Sequence, residues 1–141
     1  MSNFENIKVG DTVLTYERVR VGWNASRYFL TPKKVTRLTK TQFVTEDGRK
    51  FSKNDGYEVG GDYSEPAYRE GEVVNRWTGE VAKDQTNEMK AFVAEQKQRK
   101  ELKNMAYNVN RDIHEVKAAD LDRVETHLYA ITNILNNEQS K

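Results

Sequence analysis

The sequence predicts an α+β fold, in which a small antiparallel β-barrel is followed by a pair of α-helices. The chain has 141 residues, enough for one small domain with an appendage. All eight glycines lie between Gly10 and Gly79, and both prolines lie in the same half of the chain. Residues 81–141 contain neither, and their apolar residues recur at helical spacing. The chain is therefore predicted to change from strands to helices near residue 80.

Residues 1–80 are predicted to contain four or five short strands. The first follows Gly10 in the alternating run DTVLTYERVRV, and the second is RYFLTPKKVTRLT, where Pro32 indicates a bulge or an edge. TQFVT and KFSK form a hairpin around Asp47-Gly48, a pair that supplies the positive φ of a tight turn. EVVNRW, residues 72–77, is a last short strand that completes the set.

Short strands and tight turns at this density predict a strongly bent barrel, similar in outline to src-homology-3-like or KOW-like folds. An open antiparallel sheet with one face covered by the helices is the alternative. On this interpretation residues 1–80 form the barrel domain and residues 81–141 form a helical tail.

The helical tail is predicted to contain helices at about residues 84–107 and 118–136. Asp84 or Thr86 can cap the first helix. The second helix has an apolar stripe whose members are three or four residues apart. The helices can fold back as a hairpin or pack on the barrel, or the stripe can pair between chains, so we expect a monomer or a homodimer through the C-terminal helix. The stripe consists of Leu121, Val124, Leu128, Ile131 and Leu135.

GGDYSEPAYREGE, residues 60–72, is predicted to be an acidic loop that contains two tyrosines, Tyr63 and Tyr68. Tyrosine offers a large contact area at a small cost in side-chain entropy, so the loop is a candidate protein-binding element. Packing of both rings back on the barrel is an equally open alternative.

The basic stretch between residues 33 and 53 is a candidate nucleic-acid surface. Trp23, Tyr28 and Phe29 are near it in the sequence, and basic residues with interleaved aromatic rings are typical of single-strand binding. The alternative is structural, because lysine and arginine often occupy the outer face of edge strands. The candidate residues are Lys33, Lys34, Arg37, Lys40, Arg49 and Lys50.

The sequence contains no motif typical of catalysis or of metal binding. Cysteine is absent, and the two histidines, His114 and His127, match no metal signature. Gly60-Gly61 lacks the lysine and hydroxyl residue of a phosphate loop. We therefore predict a protein that is not an enzyme and that binds no cofactor and no metal. A net charge of +1 provides no strong field toward nucleic acid or membranes.

Neither a long apolar run nor a signal-like N-terminus is present, so the sequence predicts no association with membranes. The absence of cysteine also suits the reducing environment of the cytoplasm. A cytoplasmic location is the expectation.

Residues 8–61 contain an ordered series of strand and turn segments. VGDTV near the start is followed by LTKTQ (38–42), GRKF (48–51) and DGYEVG (55–60). This series resembles uncharacterised small β-barrel proteins encoded by tailed bacteriophages. Its residues are those of turns and strands, so the resemblance transfers no catalytic residue. It implies a phage accessory protein that acts in the host cytoplasm by binding and redirecting a host component.

The leading functional prediction is a non-enzymatic binding protein that binds and inhibits or redirects a host protein. The alternative is a nucleic-acid-binding barrel that uses the basic strands. The predicted protein-binding residues are Tyr63, Tyr68, Leu121, Val124, Leu128 and Ile131.

Overall fold

A computed structural model describes residues 3–21, 25–61 and 65–139 of the chain. An antiparallel sheet is followed by two long helices, which confirms the predicted α+β layout. Two 3-10 turns, Ile113–Glu115 and Ala118–Asp120, connect the helices. The elements are β1 (Thr12–Arg20), β2 (Ser26–Leu38), β3 (Gln42–Thr45), β4 (Lys50–Ser52), β5 (Val73–Asn75), β6 (Glu80–Val81), α1 (Thr86–Asp112) and α2 (Leu121–Gln139).

The chain forms two compact units, Met1–Lys97 and Gln98–Lys141. Lys97 lies about three turns inside α1. The boundary between the two units is therefore not the change from strands to helices that the composition indicates near residue 80. α1 also continues to Asp112, beyond the predicted end at residue 107.

The first four strands form a curled antiparallel sheet in the order β1-β2-β3-β4. β2 has 13 residues and is shared between two partners. Its first part pairs with β1 as far as Lys34, and its last part pairs with β3 from Val35. The register shifts between Val35 and Arg37, and a bulge of this kind bends a strand and increases its twist. The sheet therefore curls into a half-barrel at the middle of β2.

Two short segments, residues 56–59 and 65–68, link the free edge of β4 back to β1. Each makes backbone hydrogen bonds to one strand of the sheet, and the two segments also bond to each other. The link therefore depends in part on residues 65–68, which lie inside the predicted acidic loop. The bonds, of 2.8–2.9 Å, run from Leu14 to Tyr68 and back, from Ser52 to Tyr57 and from Ala67 to Gly56.

β5 does not join the four-stranded sheet. It pairs with β6 in a separate two-stranded sheet, in which Val73 lies opposite Val81. The prediction that residues 72–77 complete the first sheet is therefore wrong. The physical reason is that Tyr68 already satisfies the backbone groups of Leu14 on the outer edge of β1.

Buried side chains form two clusters on opposite faces of β1. Val13 belongs to the first cluster and Leu14 to the second, because successive side chains of a strand point to opposite faces. Both faces of β1 are thus covered near its start. The first cluster contains Phe4, Ile7, Val13, Val35, Phe43, Phe51 and Ala67, and the second contains Leu14, Leu30 and Ala82, packed against Tyr16, Tyr68 and Val74.

The start of α1 is attached to β2 within the first unit. The Gln85 side-chain oxygen accepts a 2.8 Å hydrogen bond from the amide of Leu30, and the Gln85 amide donates one of 2.7 Å to the Leu30 carbonyl. About two helical turns later, the Phe92 ring packs on Phe29 with centroids 5.5 Å apart. These contacts fix the direction in which the first turns of α1 leave the sheet.

Candidate functional site

The apolar stripe of α2 is largely exposed. Leu121, Leu128 and Ile131 keep 47%, 42% and 53% of their surface accessible, and α2 has no buried residue among those described. Apolar side chains in this number usually mark a contact surface when they lie together. The stripe that the sequence predicted is therefore present and open.

The C-terminal end of α1, the connection after it and the first part of α2 line an apolar groove of about 500 Å³ within the second unit. Val124, Leu128 and Ile131 of α2 lie on one side of it. Asn108, Asp112 and His127 supply its polar groups. The structure thus brings together three of the five stripe residues, whereas Leu121 and Leu135 do not line the groove. The opposite side consists of Val109, Ile113 and Val116.

Of the two tyrosines predicted to bind a partner, Tyr63 and Tyr68, the structure describes only Tyr68. Tyr63 lies outside the described residues. Tyr68 is half-buried, and its ring meets Tyr16 edge-on with centroids 6.0 Å apart. Burial, assisted by the Tyr16 hydroxyl, raises the pKa of Tyr68 to about 12. The contacts of Tyr68 are thus mainly within the first unit.

Two of the six predicted basic residues are engaged in contacts within the sheet. Lys33 Nζ lies 3.8 Å from the Glu17 carboxylate, and four-fifths of the lysine side chain is covered. Arg49 donates to both carboxylate oxygens of Glu58, and it also donates a 2.8 Å bond to the carbonyl of Tyr16. Arg49 therefore ties β4 to β1 and to the segment that follows β4.

The other four basic residues, Lys34, Arg37, Lys40 and Lys50, are exposed. Arg37 and Lys50 both lie opposite Val44 in the register of β2, β3 and β4, so their side chains share one face of the sheet. On this face one cation lies on each side of the buried Val44. No aromatic side chain of the three strands lies between them, because Phe43 and Phe51 point into the core.

Trp77 was predicted to end the strand 72–77 and was not among the predicted binding residues. It lies in the turn between β5 and β6, and 96% of its surface is exposed. The Asn75 side chain accepts a 2.9 Å hydrogen bond from the Trp77 amide, which holds the turn in shape. Val73 and Val81 form an exposed apolar pair on the same hairpin. The sequence could have predicted this turn, because the turn-forming residues Asn75 and Gly79 lie two positions on either side of the tryptophan.

Within residues 3–21, 25–61 and 65–139, no group of three or more histidine and acidic side chains is placed to hold a metal ion. No helix in this part of the chain is long and apolar enough to cross a membrane.

No protein-family model, no curated protein and no solved structure matches this chain.

Proposed function

We propose that this protein is a non-enzymatic binding protein that acts by holding another protein on its C-terminal helices. The observation that carries the proposal is the open apolar stripe of α2, where Leu128 and Ile131 border the groove while roughly half of each side chain stays in contact with solvent. An amphipathic helix of a partner could lay its apolar face into such a groove.

The arrangement of the first unit supports a scaffold role. Hydrogen bonds pass from β4 through residues 56–59 and 65–68 to β1, and we infer that this ring is a small barrel of the src-homology-3-like kind. The Trp77 hairpin offers a second exposed apolar surface on that unit. Tryptophan is enriched among the residues that dominate binding energy at protein interfaces.

The resemblance to small barrel proteins of tailed bacteriophages suggests what the partner is. On that basis the protein is a phage accessory factor in the host cytoplasm, and it binds and inhibits or redirects a host protein. The proposed protein-binding residues are Tyr63 and Tyr68 of the acidic loop and, separately, Leu121, Val124, Leu128 and Ile131 of the α2 stripe. The mechanism is occlusion of a partner surface or a change in the partner's assembly.

The proposal is tested by capture of partners from bacterial lysate with the tagged protein, after nuclease treatment. We expect the wild type to retain a host protein in stoichiometric amount, and Leu128→Glu to lose it, because a carboxylate in the groove cannot be desolvated without a partner charge. Tyr129→Glu is the matched control, since it places the same charge on the next residue of α2, outside the stripe.

Circular dichroism of both variants must show unchanged helix content. Equal retention of the host protein by the wild type and by Leu128→Glu would remove the stripe from the contact surface. Absence of any stoichiometric protein after nuclease treatment would contradict the proposed function itself.

A second candidate function, nucleic-acid binding, is favoured by the exposed pair of Arg37 and Lys50 on one sheet face. Binding through Lys34, Arg37, Lys40 and Lys50 would weaken steeply as salt rises, because counterions are released from the phosphates. The engagement of Lys33 with Glu17 and of Arg49 with Glu58 reduces the charge available for this role. Filter binding of a labelled single strand at two salt concentrations distinguishes it from the first proposal.

A further inference from the structure

A second apolar stripe lies on the C-terminal half of α1. Leu102, Met105 and Val109 are spaced three and four residues apart, so they share one face of the helix. Their exposed fractions are 56%, 61% and 44%. The second unit therefore contains two amphipathic helices, and both apolar faces are open to solvent.

The two stripes do not cover each other within one chain. Neither helix has a buried residue among those described, although Val109 of α1 and Val124 of α2 both line the groove. The helices meet at the groove, which Val109, Ile113 and Val124 line together. The stripe residues outside the groove each keep about half or more of their surface exposed: Leu102, Met105, Leu121 and Leu135. Amphipathic helices normally bury their apolar faces against other helices or against a sheet.

The two helices carry opposite charge. Residues 98–112 of α1 have four basic and two acidic side chains, whereas α2 has three acidic side chains and one basic side chain. An α1 segment from one molecule and α2 from another would thus attract each other, which favours association of unlike helices over association of like ones.

Their dimensions also match. The 15 residues of α1 after Lys97 extend about 22 Å and the 19 residues of α2 about 28 Å, at 1.5 Å per residue. The exposed apolar residues of the two stripes together offer on the order of several hundred Å² per molecule. This is the order of the roughly 800 Å² per partner that a specific interface buries.

From these observations we infer that a second copy of this chain covers the stripes in the free protein. The α2 helix of each copy lies along the C-terminal half of α1 of the other, and the two copies form a symmetric bundle of four helices. Such an interface is self-complementary, because each copy contributes one basic and one acidic helix segment. This inference rests on the proposed function, because both treat the α2 stripe as a protein-binding surface. It states that a second copy of the chain covers the stripe when no host protein is bound.

The first measurement is the mass of the purified full-length protein in solution by light scattering, over a dilution series. We expect twice the chain mass of 16.4 kDa for the wild type. Leu128→Glu should raise the dimer dissociation constant on the order of tenfold or more, as for a central interface residue. Tyr129→Glu, which lies off the stripe, should leave the dimer intact.

A second measurement tests the pairing of α1 with α2. The chain lacks cysteine, so single cysteines can be introduced without background. A mixture of Met105→Cys and Leu128→Cys proteins should form a mixed disulfide under mild oxidation. The two thiols give two electrons and two protons to dissolved oxygen, which is reduced to hydrogen peroxide. Trp77→Cys, on the β5–β6 hairpin, should form no mixed disulfide with either protein.

The outcomes separate this inference from the proposed function. A monomeric mass for the wild type would overturn the inference, and a monomer that still retains a host protein would leave the proposed function standing. A dimer that Leu128→Glu does not weaken, or one that gives only the Leu128→Cys homodimer, would overturn the pairing of α1 with α2. A dimer that captures no host protein would contradict the proposed function alone.

Discussion

Tyr68 connects the second core cluster to the outer edge of β1. Its amide and carbonyl bond to Leu14, and its ring packs edge-on against Tyr16. Burial disfavours the charged phenolate, and it raises the pKa of both tyrosines above the ordinary value of 10.0. The ionisation of these hydroxyls is thus linked to folding of the first unit.

The pKa of Tyr68, raised to about 12, predicts a loss of stability in alkali. The folded chain retains a proton that the unfolded chain releases near pH 10, so the contribution of Tyr68 is complete below pH 10 and disappears as the pH rises toward 12. We expect Tyr68→Phe to make the free energy of unfolding fall less steeply in this window. Urea denaturation at several pH values measures it.

Some pH dependence should remain in Tyr68→Phe, because the pKa of Tyr16 is also raised. Tyr129→Phe serves as the control, because it removes the hydroxyl of an exposed tyrosine on α2. Identical slopes for the wild type and Tyr68→Phe would show that Tyr68 ionises equally in both states.

The turn at Gly56 decides how the segment after β4 returns to the sheet. Its φ is +79°, and an added Cβ would lie 2.6 Å from Cε2 of Phe4 and 3.2 Å from the carbonyl oxygen of Ala67. Gly48, in the hairpin between β3 and β4, has a φ of +84° but open space around it. The two glycines thus share a left-handed backbone and differ in packing.

Gly56→Ala should be much more destabilising than Gly48→Ala. At Gly48 the cost is the left-handed backbone of an L residue, about 1 kcal/mol. At Gly56 the same cost is joined by overlap with the buried Phe4 ring, so we expect a total loss of about 3 kcal/mol or more. Urea denaturation of both variants measures the difference. Equal losses would mean that Phe4 moves aside without cost.

Across the described residues, the molecule exposes more large apolar side chains than its core contains, in keeping with its composition. Only 36% of the residues are hydrophobic, and the described part of α1 and α2 buries none of them fully. The Trp77 hairpin adds a further exposed surface on the first unit. A molecule of this kind is expected to complete its apolar contacts with other chains.

Trp77→Ala should separate binding from folding. Because 96% of the ring is exposed, its removal should change the free energy of unfolding by no more than about 0.5 kcal/mol. If the hairpin contributes to the proposed host contact, the same change should weaken capture of the host protein on the order of tenfold or more. Thermal denaturation and lysate capture measure the two effects. Full capture by Trp77→Ala would exclude the hairpin from the contact.

The parts of the molecule that were predictable from the sequence depend on local rules. Alternation and turn residues placed the first four strands, and Asp47-Gly48 marked the hairpin because glycine tolerates a positive φ. The spacing of apolar residues placed the stripe on α2. Each of these features is determined by residues within a few positions of one another.

Tertiary structure alone decided which segments meet. Residues 65–68, not β5, take the outer edge of β1, since hydrogen bonds between segments far apart in the chain have no signature in local spacing. In the same way, Arg49 could be counted as a cation from the sequence, yet its contacts with Glu58 and Tyr16 depend on how the sheet curls. The sequence by itself determined the elements and their apolar faces, because these follow from backbone geometry. Which faces are covered was decided by long-range packing.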